Sequence, residues 1–429
     1  MSLIHKHSTA RTDQNPTRRV GRVQQNPLHP IGGRNAARTR PFEVSLDATG
    51  MIPPKVMKGK RVGALLVIVA VLLYGCSSGP SGAKKPNAGG EYLNSVSCVS
   101  KTMCVAVGVS KAHKAFSELW NGRAWKRLNA PNPAGFMTVH LDSVSCVAPD
   151  ACMAVGGSGQ TLANLRPVAE WWNGARWAIE PTPASANSAV AWLGAVDCLS
   201  RAVCLATGYH LQSGRLLKPG GIVESWDGSH WRLRAAPNPT SWFALGAISC
   251  SEEATCMAIA LSRTRADEDW VLSWNGNDWR RQALLAEGGV LQMRFVSCRT
   301  ACIVVGNRQG RQYPQTFSIA ERWNGKTWSV LPTPDGSQKM LNSVSCVTSQ
   351  SCMATGFSGV GQFSLAEWWN GRSWAITSTP KRGANSALDG ISCVPAGCMA
   401  VGAANSDGDT GKLLAEWWSG TTWTVTQAT

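Results

Sequence analysis

Short apolar segments separated by turn residues recur seven times between residues 91 and 429. The clearest copy runs from Leu341 to Pro380 and reads LNSVSCVTSQSCMATG, then a variable loop, then LAEWWNGRSWAITSTP. In general form, a copy is S-C-x(3–5)-C-x-A-V-G, a gap, and usually E-x-W-N-G-x-x-W. Successive first cysteines lie 48, 52, 52, 48, 48 and 47 residues apart. This period of about fifty residues is well above that of helical-pair repeats.

Each copy predicts four strands in two hairpins. The first apolar segment, such as residues 141–146, is a short strand, and a loop of three to five residues joins it to Cys-x-Ala-Val-Gly as the second strand. The third and fourth strands flank Trp-Asn-Gly, and Asn-Gly is a strong signal for a type I′ hairpin turn.

The tryptophan hairpin has a definite predicted register. If residues 173–174 form a two-residue turn, Trp172 opposes Ala175. Glu170 then opposes Trp177, and the two indoles are diagonal neighbours on one face.

Seven units of four strands, with both faces of each sheet apolar, require radial packing around an axis. The predicted fold is therefore all-β: a seven-bladed β-propeller with four antiparallel strands per blade. The last unit ends directly after its fourth strand. The ring is therefore expected to close either by side-chain packing between the first and last blades or by one blade that shares strands from both. The predicted blade bounds are about 91–135, 136–187, 188–241, 242–288, 289–337, 338–384 and 385–429.

The chain has 15 cysteines, of which 14 form close pairs, one in each unit. Cysteines that face each other across neighbouring antiparallel strands are within disulfide reach, so we predict one disulfide in each blade. Zinc thiolates are the alternative, but none of the four histidines after residue 76 stands beside a pair. The pairs are Cys98 and Cys104, Cys146 and Cys152, Cys198 and Cys204, Cys250 and Cys256, Cys298 and Cys302, Cys346 and Cys352, and Cys393 and Cys398.

The segment 57–75 has the features of an export signal. A basic start precedes an apolar run of 14 residues, too short for a comfortable membrane span. The run ends in Leu73-Tyr74-Gly75-Cys76, which resembles the lipobox of bacterial lipoproteins. That resemblance implies lipidation of Cys76 and anchorage to the outer face of the bacterial cell membrane. An uncleaved signal anchor with Cys76 free is the alternative, and it leads to the same compartment.

The segments on either side of the export signal show no apolar periodicity. Residues 1–56 are rich in Arg, Asn, Pro and Thr, which predicts a disordered or mis-assigned extension, with a start at Met57; a genuine cytoplasmic tail is the alternative. Residues 76–90 read as a flexible tether.

The net charge of +16 is concentrated before the repeats. Residues 1–75 hold 12 basic and 3 acidic residues, which leaves 30 basic and 23 acidic residues, a net of +7, for the rest. A high isoelectric point often indicates a nucleic-acid partner, but much of the positive net charge lies before the repeats. We therefore predict no nucleic-acid partner.

The unit resembles a kelch repeat, as in the central domain of galactose oxidase. Ala-Val-Gly at residues 106–108 and 400–402 lies where kelch repeats have a diglycine, and Trp-Asn-Gly-x-x-Trp matches their aromatic turn followed by Trp. The missing second glycine in most units and the added cysteines depart from that pattern. The units also look like those of exported actinobacterial proteins with S-V-S-C and W-N-G-x-x-W repeats. The resemblance implies a kelch-like propeller.

A residue that recurs in every blade is more typical of architecture than of catalysis, because an active site needs one copy. We therefore assign the glutamate found in six of seven units, Leu272 being the exception, to the architecture, together with the tryptophan pairs.

The loops that vary between units, all at one end of the disc, are the predicted binding face. Their basic side chains predict an anionic glycan or an acidic protein surface as ligand, and solvated loops without a ligand are the alternative. The candidate residues are Lys111, Lys114, Arg166, Arg215, Lys218, Arg308, Arg311, Lys381 and Arg382.

Two functions follow as hypotheses. The first is a monomeric, lipid-anchored, non-catalytic binding or scaffold module of the cell envelope. The second is a secreted carbohydrate hydrolase or lyase with its site in the central funnel. No nucleophile and base are paired in the sequence and no histidines cluster, so we predict no catalytic residues, no cofactor and no metal. Asp407 and Asp409 are a possible calcium pair, although such a pair is more often a turn.

Overall fold

The computed structural model describes most of the repeat region. The described residues are 90–160, 164–183, 188–212, 218–237, 243–262, 269–285, 290–310, 315–359, 361–382, 385–404 and 411–428. The predicted extension 1–56, export signal 57–75 and tether 76–90 (except Gly90) lie outside this part of the chain, as do Cys76, Arg215, Arg311, Asp407 and Asp409. The described part of the chain contains no helix that is long and apolar enough to cross a bilayer.

Twenty-eight strands account for the described fold. Blade 1 contains β1 (Tyr92–Ser100), β2 (Met103–Val109), β3 (Ala115–Trp120) and β4 (Trp125–Leu128); blade 2 contains β5 (Thr138–Ala148), β6 (Ala151–Gly159), β7 (Arg166–Trp172) and β8 (Trp177–Ile179). Blade 3 contains β9 (Ser188–Ser200), β10 (Val203–Gln212), β11 (Lys218–Trp226) and β12 (Trp231–Arg234); blade 4 contains β13 (Phe243–Glu252), β14 (Thr255–Ser262), β15 (Trp270–Trp274) and β16 (Trp279–Gln282). Blade 5 contains β17 (Val290–Cys298), β18 (Cys302–Gln309), β19 (Thr316–Trp323) and β20 (Trp328–Val330). Blade 6 contains β21 (Lys339–Thr348), β22 (Ser351–Ser358), β23 (Phe363–Trp369) and β24 (Trp374–Ile376); blade 7 contains β25 (Ser386–Val394), β26 (Gly397–Ala404), β27 (Lys412–Trp418) and β28 (Trp423–Val425).

Every blade is an antiparallel sheet whose strands pair in chain order. The first strand of each blade contacts the first strand of the next blade, and β25 contacts β1, which closes the ring. The prediction of a seven-bladed propeller with four strands per blade is confirmed.

The predicted cysteine pairs are all disulfide-bonded. Each joins β-partners in the first hairpin of a blade, as Cys146 and Cys152 do in blade 2. The Cα atoms of each pair are 3.9–4.0 Å apart. The prediction of one disulfide in each blade is confirmed.

The tryptophan hairpin differs from its predicted register. Trp172 pairs directly with Trp177, with ring centroids 5.6 Å apart, and Glu170 pairs with Ile179. The prediction of a two-residue turn was wrong because Asn173 Oδ1 accepts hydrogen bonds from the backbone N–H groups of residues 175 and 176, both at 3.0 Å. These bonds open the connection to four residues.

The apolar core lies between blades rather than within one. Val105 and Val107 of blade 1 pack with Leu141 and Val144 of blade 2. At the ring closure, Val401 of blade 7 belongs to one cluster with blade 1. Neighbouring blades are therefore held to one another by buried apolar surface, and the seam between the last and first blades is packed like the others.

In four of the seven described hairpins, the second tryptophan also donates a hydrogen bond to the preceding blade. Trp177 Nε1 donates to Ser117 Oγ at 2.9 Å. Across the seam, Trp125 Nε1 donates to Thr426 Oγ1 at 3.0 Å. The indoles therefore add directional contacts to the apolar packing.

The repeated glutamates are buried and differ in their partners. Glu118 accepts from Arg127 Nε at 3.1 Å, and the Glu321 carboxylate accepts from the backbone N–H of Leu285 at 2.9 and 3.0 Å. Burial raises the pKa of Glu170 to about 8, and both of its oxygens lack a hydrogen-bond partner among the described residues. Burial likewise raises the pKa values of three further members to about 7, namely Glu224, Glu367 and Glu416.

Candidate functional site

A cavity of about 770 Å³ is lined by the first strands of all seven blades. Each first strand runs from the variable-loop end of the disc to the disulfide hairpin, so its residues form successive tiers. We define the upper tier by Tyr92, His140 and Trp192, which lie nearest the variable loops. We call the whole cavity, which also has a middle and a lower tier, the central channel.

The middle tier is produced by a bulge in every first strand. In blade 1, Leu93 pairs with Gly108 and Ser95 with Val107, so Asn94 has no partner on β2. A bulge re-aims the side chain of the extra residue, and these residues line the channel. The equivalents in blades 2 to 7 are Asp142, Gly194, Gly246 with Ala247, Arg294, Asn342 and Asp389.

The glycine of the Ala-Val-Gly segment allows this bulge. A Cβ atom on Gly156 would lie 1.9 Å from the carbonyl oxygen of His140 on the neighbouring strand. No side chain fits at such a distance, so the close approach of the two strands requires glycine here. The bulge of blade 4 is arranged differently. Both Gly246 and Ala247 lack a partner on β14, and Ala260 pairs with Leu245.

The lower tier is a closed ring of hydrogen bonds between blades. The side chain just before the first cysteine of each blade accepts from the backbone N–H of the first cysteine of the next blade. In the first pair, Ser97 Oγ accepts from Cys146 N–H at 2.9 Å, and at the seam Ser392 Oγ accepts from Cys98 N–H at 2.9 Å. The other acceptors are Ser145, Asp197, Ser249, Ser297 and Ser345, at 2.7–3.1 Å. The ring gives the channel a fixed floor.

Asp197 takes the place of serine in this ring. Its carboxylate accepts from Cys250 N–H at 2.7 Å and lies 3.5 Å from Ser145 Oγ. Burial raises the pKa of Asp197, and the Cys250 N–H and the Arg299 guanidinium act in the opposite direction. Its oxygens are thus engaged by the floor of the channel.

One side of the middle tier is rich in amides and carboxylates. Asn94 Nδ2 donates to Leu141 O at 2.9 Å and lies 3.4 Å from Asp142 Oδ1. Asn342 Nδ2 donates to Asp389 Oδ1 at 3.0 Å. The polar side chains of blades 6 and 7 thus form one hydrogen-bonded pair and those of blades 1 and 2 another, and we call the two neighbouring pairs the acidic arc.

Two upper-tier side chains adjoin the acidic arc. His140 Nε2 lies 3.3 Å from Asp142 Oδ2. Burial raises the pKa of Tyr92 to about 12, and Asp142 and Asp389 contribute to the rise. Tyr92 is therefore a neutral phenol at neutral pH, between carboxylates of two different blades.

The basic residues predicted from the sequence as a binding face do not line this channel where they are described. Lys114 Nζ donates to Phe136 O at 2.7 Å, and the Arg308 guanidinium lies 5.1 Å from the centroid of the Phe317 ring. Arg166 Nη1 donates to the Leu165 carbonyl at 3.2 Å. The remaining described members occupy separate loops or strand starts: Lys111 follows β2, Lys218 begins β11, and Lys381 and Arg382 lie exposed between β24 and β25. These contacts do not join one member to another, and the binding face stays a prediction.

The spacing of apolar residues in the first strand indicates the bulge of the middle tier, and the prediction of a regular strand missed it. Buried apolar residues in β1 are Leu93, Val96 and Cys98, spaced by three and then by two. Strict alternation would place them two apart, so the extra residue marks a bulge.

No protein-family model matches this chain, and comparison with curated proteins found no match. Among solved structures, the chain is similar to the polysaccharide lyase PL25 ulvan lyase bound to -[GlcA(1-4)Rha3S]-, with a TM-score of 0.51 and 7% identity over 78% of this chain and 96% of that one. It is also similar to YCF48 bound to D1 peptide (TM-score 0.48, 11% identity, 74% and 91% covered). A third is the Aleuria aurantia lectin with alpha-methyl-L-fucoside (TM-score 0.41, 12% identity, 66% and 94% covered). At these identities the similarity concerns the fold, and the class that the fold defines is the seven-bladed β-propeller.

Proposed function

We propose that this protein is an exported binding propeller that holds a segment of a glycan in the upper and middle tiers of its central channel. The observation that carries the proposal is the bulge in each first strand, which brings Asn, Asp, Gly or Arg, depending on the blade, to one axis. Different side chains on a sevenfold scaffold suit an asymmetric ligand, whereas the uniform lower tier suits architecture.

The chemistry of the acidic arc favours hydroxyl groups as its ligands. Asp142 and Asp389 offer acceptors, and Asn94 and Asn342 offer both donors and acceptors. Tyr92 adds aromatic surface beside them. Sugars present several hydroxyl groups together with an apolar ring face, so carboxylates, amides and an aromatic ring in one recessed site fit this class of ligand.

A glycan array probed with the full-length protein in detergent tests the proposal, followed by titration of the glycans that bind. We expect Asp142→Ala and Asp389→Ala each to weaken binding by about tenfold or more, because each removes charge-assisted hydrogen bonds. Lys381→Ala, on the predicted loop face, is the matched control and should leave binding unchanged. Binding that depends on Lys381 but not on Asp142 would place the ligand on the variable loops, and an array without any bound glycan would refute glycan binding.

A carbohydrate hydrolase or lyase is the second candidate, because carboxylates from blades 2 and 7 both lie near Tyr92. The raised pKa of Tyr92 makes its phenolate scarce at neutral pH, which disfavours this side chain as a general base. Product analysis by mass spectrometry after incubation with the glycans that bind distinguishes the two functions. Turnover that Asp142→Asn and Asp389→Asn abolish would establish the enzyme.

We further propose that the propeller works at the outer face of the bacterial membrane, tethered by lipid on Cys76. The basic start, the apolar run and the cysteine that follows it support this location, and seven disulfides fit an oxidising compartment. Mass spectrometry of protein purified from membranes tests it. A diacylglycerol-modified N-terminal cysteine is the expected result, and an unmodified Cys76 would contradict it.

A further inference from the structure

The bulge residue of blade 3 is Gly194, and the bulge of blade 4 consists of Gly246 and Ala247, where the other blades carry Asn, Asp or Arg. Neither glycine has the positive φ that would demand it. A Cβ atom on Gly194 would come no closer than 3.7 Å to another heavy atom, and on Gly246 the nearest contact, at 3.2 Å, is the flexible tip of Leu261. The backbone therefore admits a side chain at Gly194, and its absence leaves space in the channel wall. We call the space beside Gly194 and Gly246 the recess.

An indole N–H borders this recess. Trp192 is only 3% exposed, and its Nε1 atom lies 3.7 Å from the position of a Cβ atom on Gly194. Its ring packs against Tyr209 at a centroid distance of 5.0 Å, which fixes its orientation. Among the described residues, none accepts a hydrogen bond from this N–H, whereas the indoles of Trp125, Trp177 and Trp423 each have an acceptor. The indole N–H groups of Trp231, Trp328 and Trp374 likewise lack an acceptor among the described residues. Trp192 lines the channel, so this N–H is open to a ligand, and a group that accepts a hydrogen bond from it would be bound favourably.

The electrostatics of this side of the channel are opposite to those of the acidic arc. The middle-tier residues of blades 3 to 5 include no carboxylate, and Arg294 adds a guanidinium. The Arg294 guanidinium also interacts with the buried Asp269 carboxyl. Burial raises the pKa of Asp269 to about 7, and the charge of Arg294 acts against this rise. Asp197 lies one tier lower, where the floor engages it. A hydrogen-bond donor thus borders the recess and the bulge position of the next blade carries a cation, while acceptors line the other side of the channel.

We infer that the recess binds the carboxylate of an acidic sugar, whose hydroxyl groups lie against the acidic arc. This inference rests on the proposed function and narrows its ligand from glycans in general to those that contain uronic acids. The ligand is held across the channel, with its charged group toward Trp192 and Arg294. Such an orientation uses both halves of the polarised channel at once.

Calorimetric titration of the full-length protein with methyl glucuronide and methyl galacturonide, each against its neutral parent glycoside, tests this specificity. We expect at least one uronide to bind about tenfold more tightly than its parent, the effect of one charge-assisted hydrogen bond. Trp192→Phe keeps a ring against Tyr209 but removes the N–H, so it should abolish the preference and retain binding of the neutral glycoside. That retained binding also shows that the variant is folded.

A second variant fills the recess. Gly194→Asn introduces the side chain that blades 1 and 6 carry at the equivalent position, and it should weaken uronide binding about tenfold or more. Val330→Asn, on the exposed strand β20, is the matched control and should bind as the unaltered protein does. Equal affinity for uronide and parent, binding of neither, or a preference that survives both channel variants would overturn the inference. If array glycans still bind through Asp142 and Asp389 in that case, the proposed function stands without it.

Discussion

The hydroxyl group of Ser392, in the last blade, accepts a hydrogen bond from the backbone N–H of Cys98, in the first blade, at 2.9 Å. An equivalent contact joins each other pair of neighbouring blades, as between Ser345 and Cys393 at 2.9 Å, with the Asp197 carboxylate as acceptor between blades 3 and 4. Among the strands that the structure describes, none is shared between the first and last blades. The chain thus closes its ring by repeating one contact seven times, together with the packing of blade 7 against blade 1.

The first prediction concerns that seam. Ser392→Ala leaves the Cys98 N–H without its acceptor, so the free energy of unfolding should fall by about 1–3 kcal/mol, the cost of an unsatisfied buried donor. Denaturant unfolding followed by tryptophan fluorescence measures the loss. Ser345→Ala, which breaks the same bond inside the ring, is the comparison and should cost a similar amount. A Ser392→Ala variant as stable as the unaltered protein, beside a destabilised Ser345→Ala, would show that this bond does not hold the seam.

The second prediction concerns pH. The pKa of Glu170 is raised from 4.5 to about 8, so its contribution to stability is full below pH 4.5 and is lost as the pH rises through 8. We expect the free energy of unfolding to fall between pH 5 and pH 8, by on the order of 3 kcal/mol for this group alone. Glu224, Glu367 and Glu416, with pKa values of about 7, act in the same direction.

Glutamine variants measured by thermal unfolding at pH 5 and pH 8 isolate this effect. Glu170→Gln mimics the neutral acid, so it should match the unaltered protein at pH 5 and exceed its stability at pH 8. Glu118→Gln is the control: it weakens the ion pair with Arg127 and should lower stability at both values. A Glu170→Gln variant that is destabilised equally at both pH values would mean that the carboxylate is ionised in the folded protein.

The fold could be predicted because its signals are local and repeated. Fourteen paired cysteines fix the register of the first hairpin in each blade, and the fifty-residue period fixes the number of blades. The tryptophan turn could not be predicted in detail, because the Asn173 side chain competes with a backbone turn for two N–H groups.

The candidate site was harder to predict than the fold. Variation between repeats pointed to the loops, yet the residues that meet at the axis, such as Asn94 and Asp389, lie within strands and differ from blade to blade at one bulged position. A single extra residue in a strand shifts the spacing of apolar residues by one position. That signal is weak in one copy and becomes clear only when all seven copies are aligned on their cysteines.

The third prediction concerns the disulfides. Cys146→Ala combined with Cys152→Ala removes one small ring, which should lower the free energy of unfolding by about 2 kcal/mol on the chain-entropy model. Denaturant unfolding measures the change, and reduction of the unaltered protein should produce a larger loss because it opens all seven rings. A double variant with unchanged stability would show that strand pairing alone holds the hairpin.

The fourth prediction tests the close approach behind the middle tier. A Cβ atom on Gly156 would lie 1.9 Å from His140 O, so Gly156→Ala must push the bulged strand away or break its pairing. We expect a loss of more than about 2 kcal/mol in the free energy of unfolding. Ala260→Gly is the control, because blade 4 already carries alanine opposite its first strand, and it should change stability by less than about 1 kcal/mol. Since the bulge also sets the direction of Asp142, Gly156→Ala should weaken glycan binding as well. A stable Gly156→Ala variant with unchanged binding would mean that the middle tier does not depend on this contact.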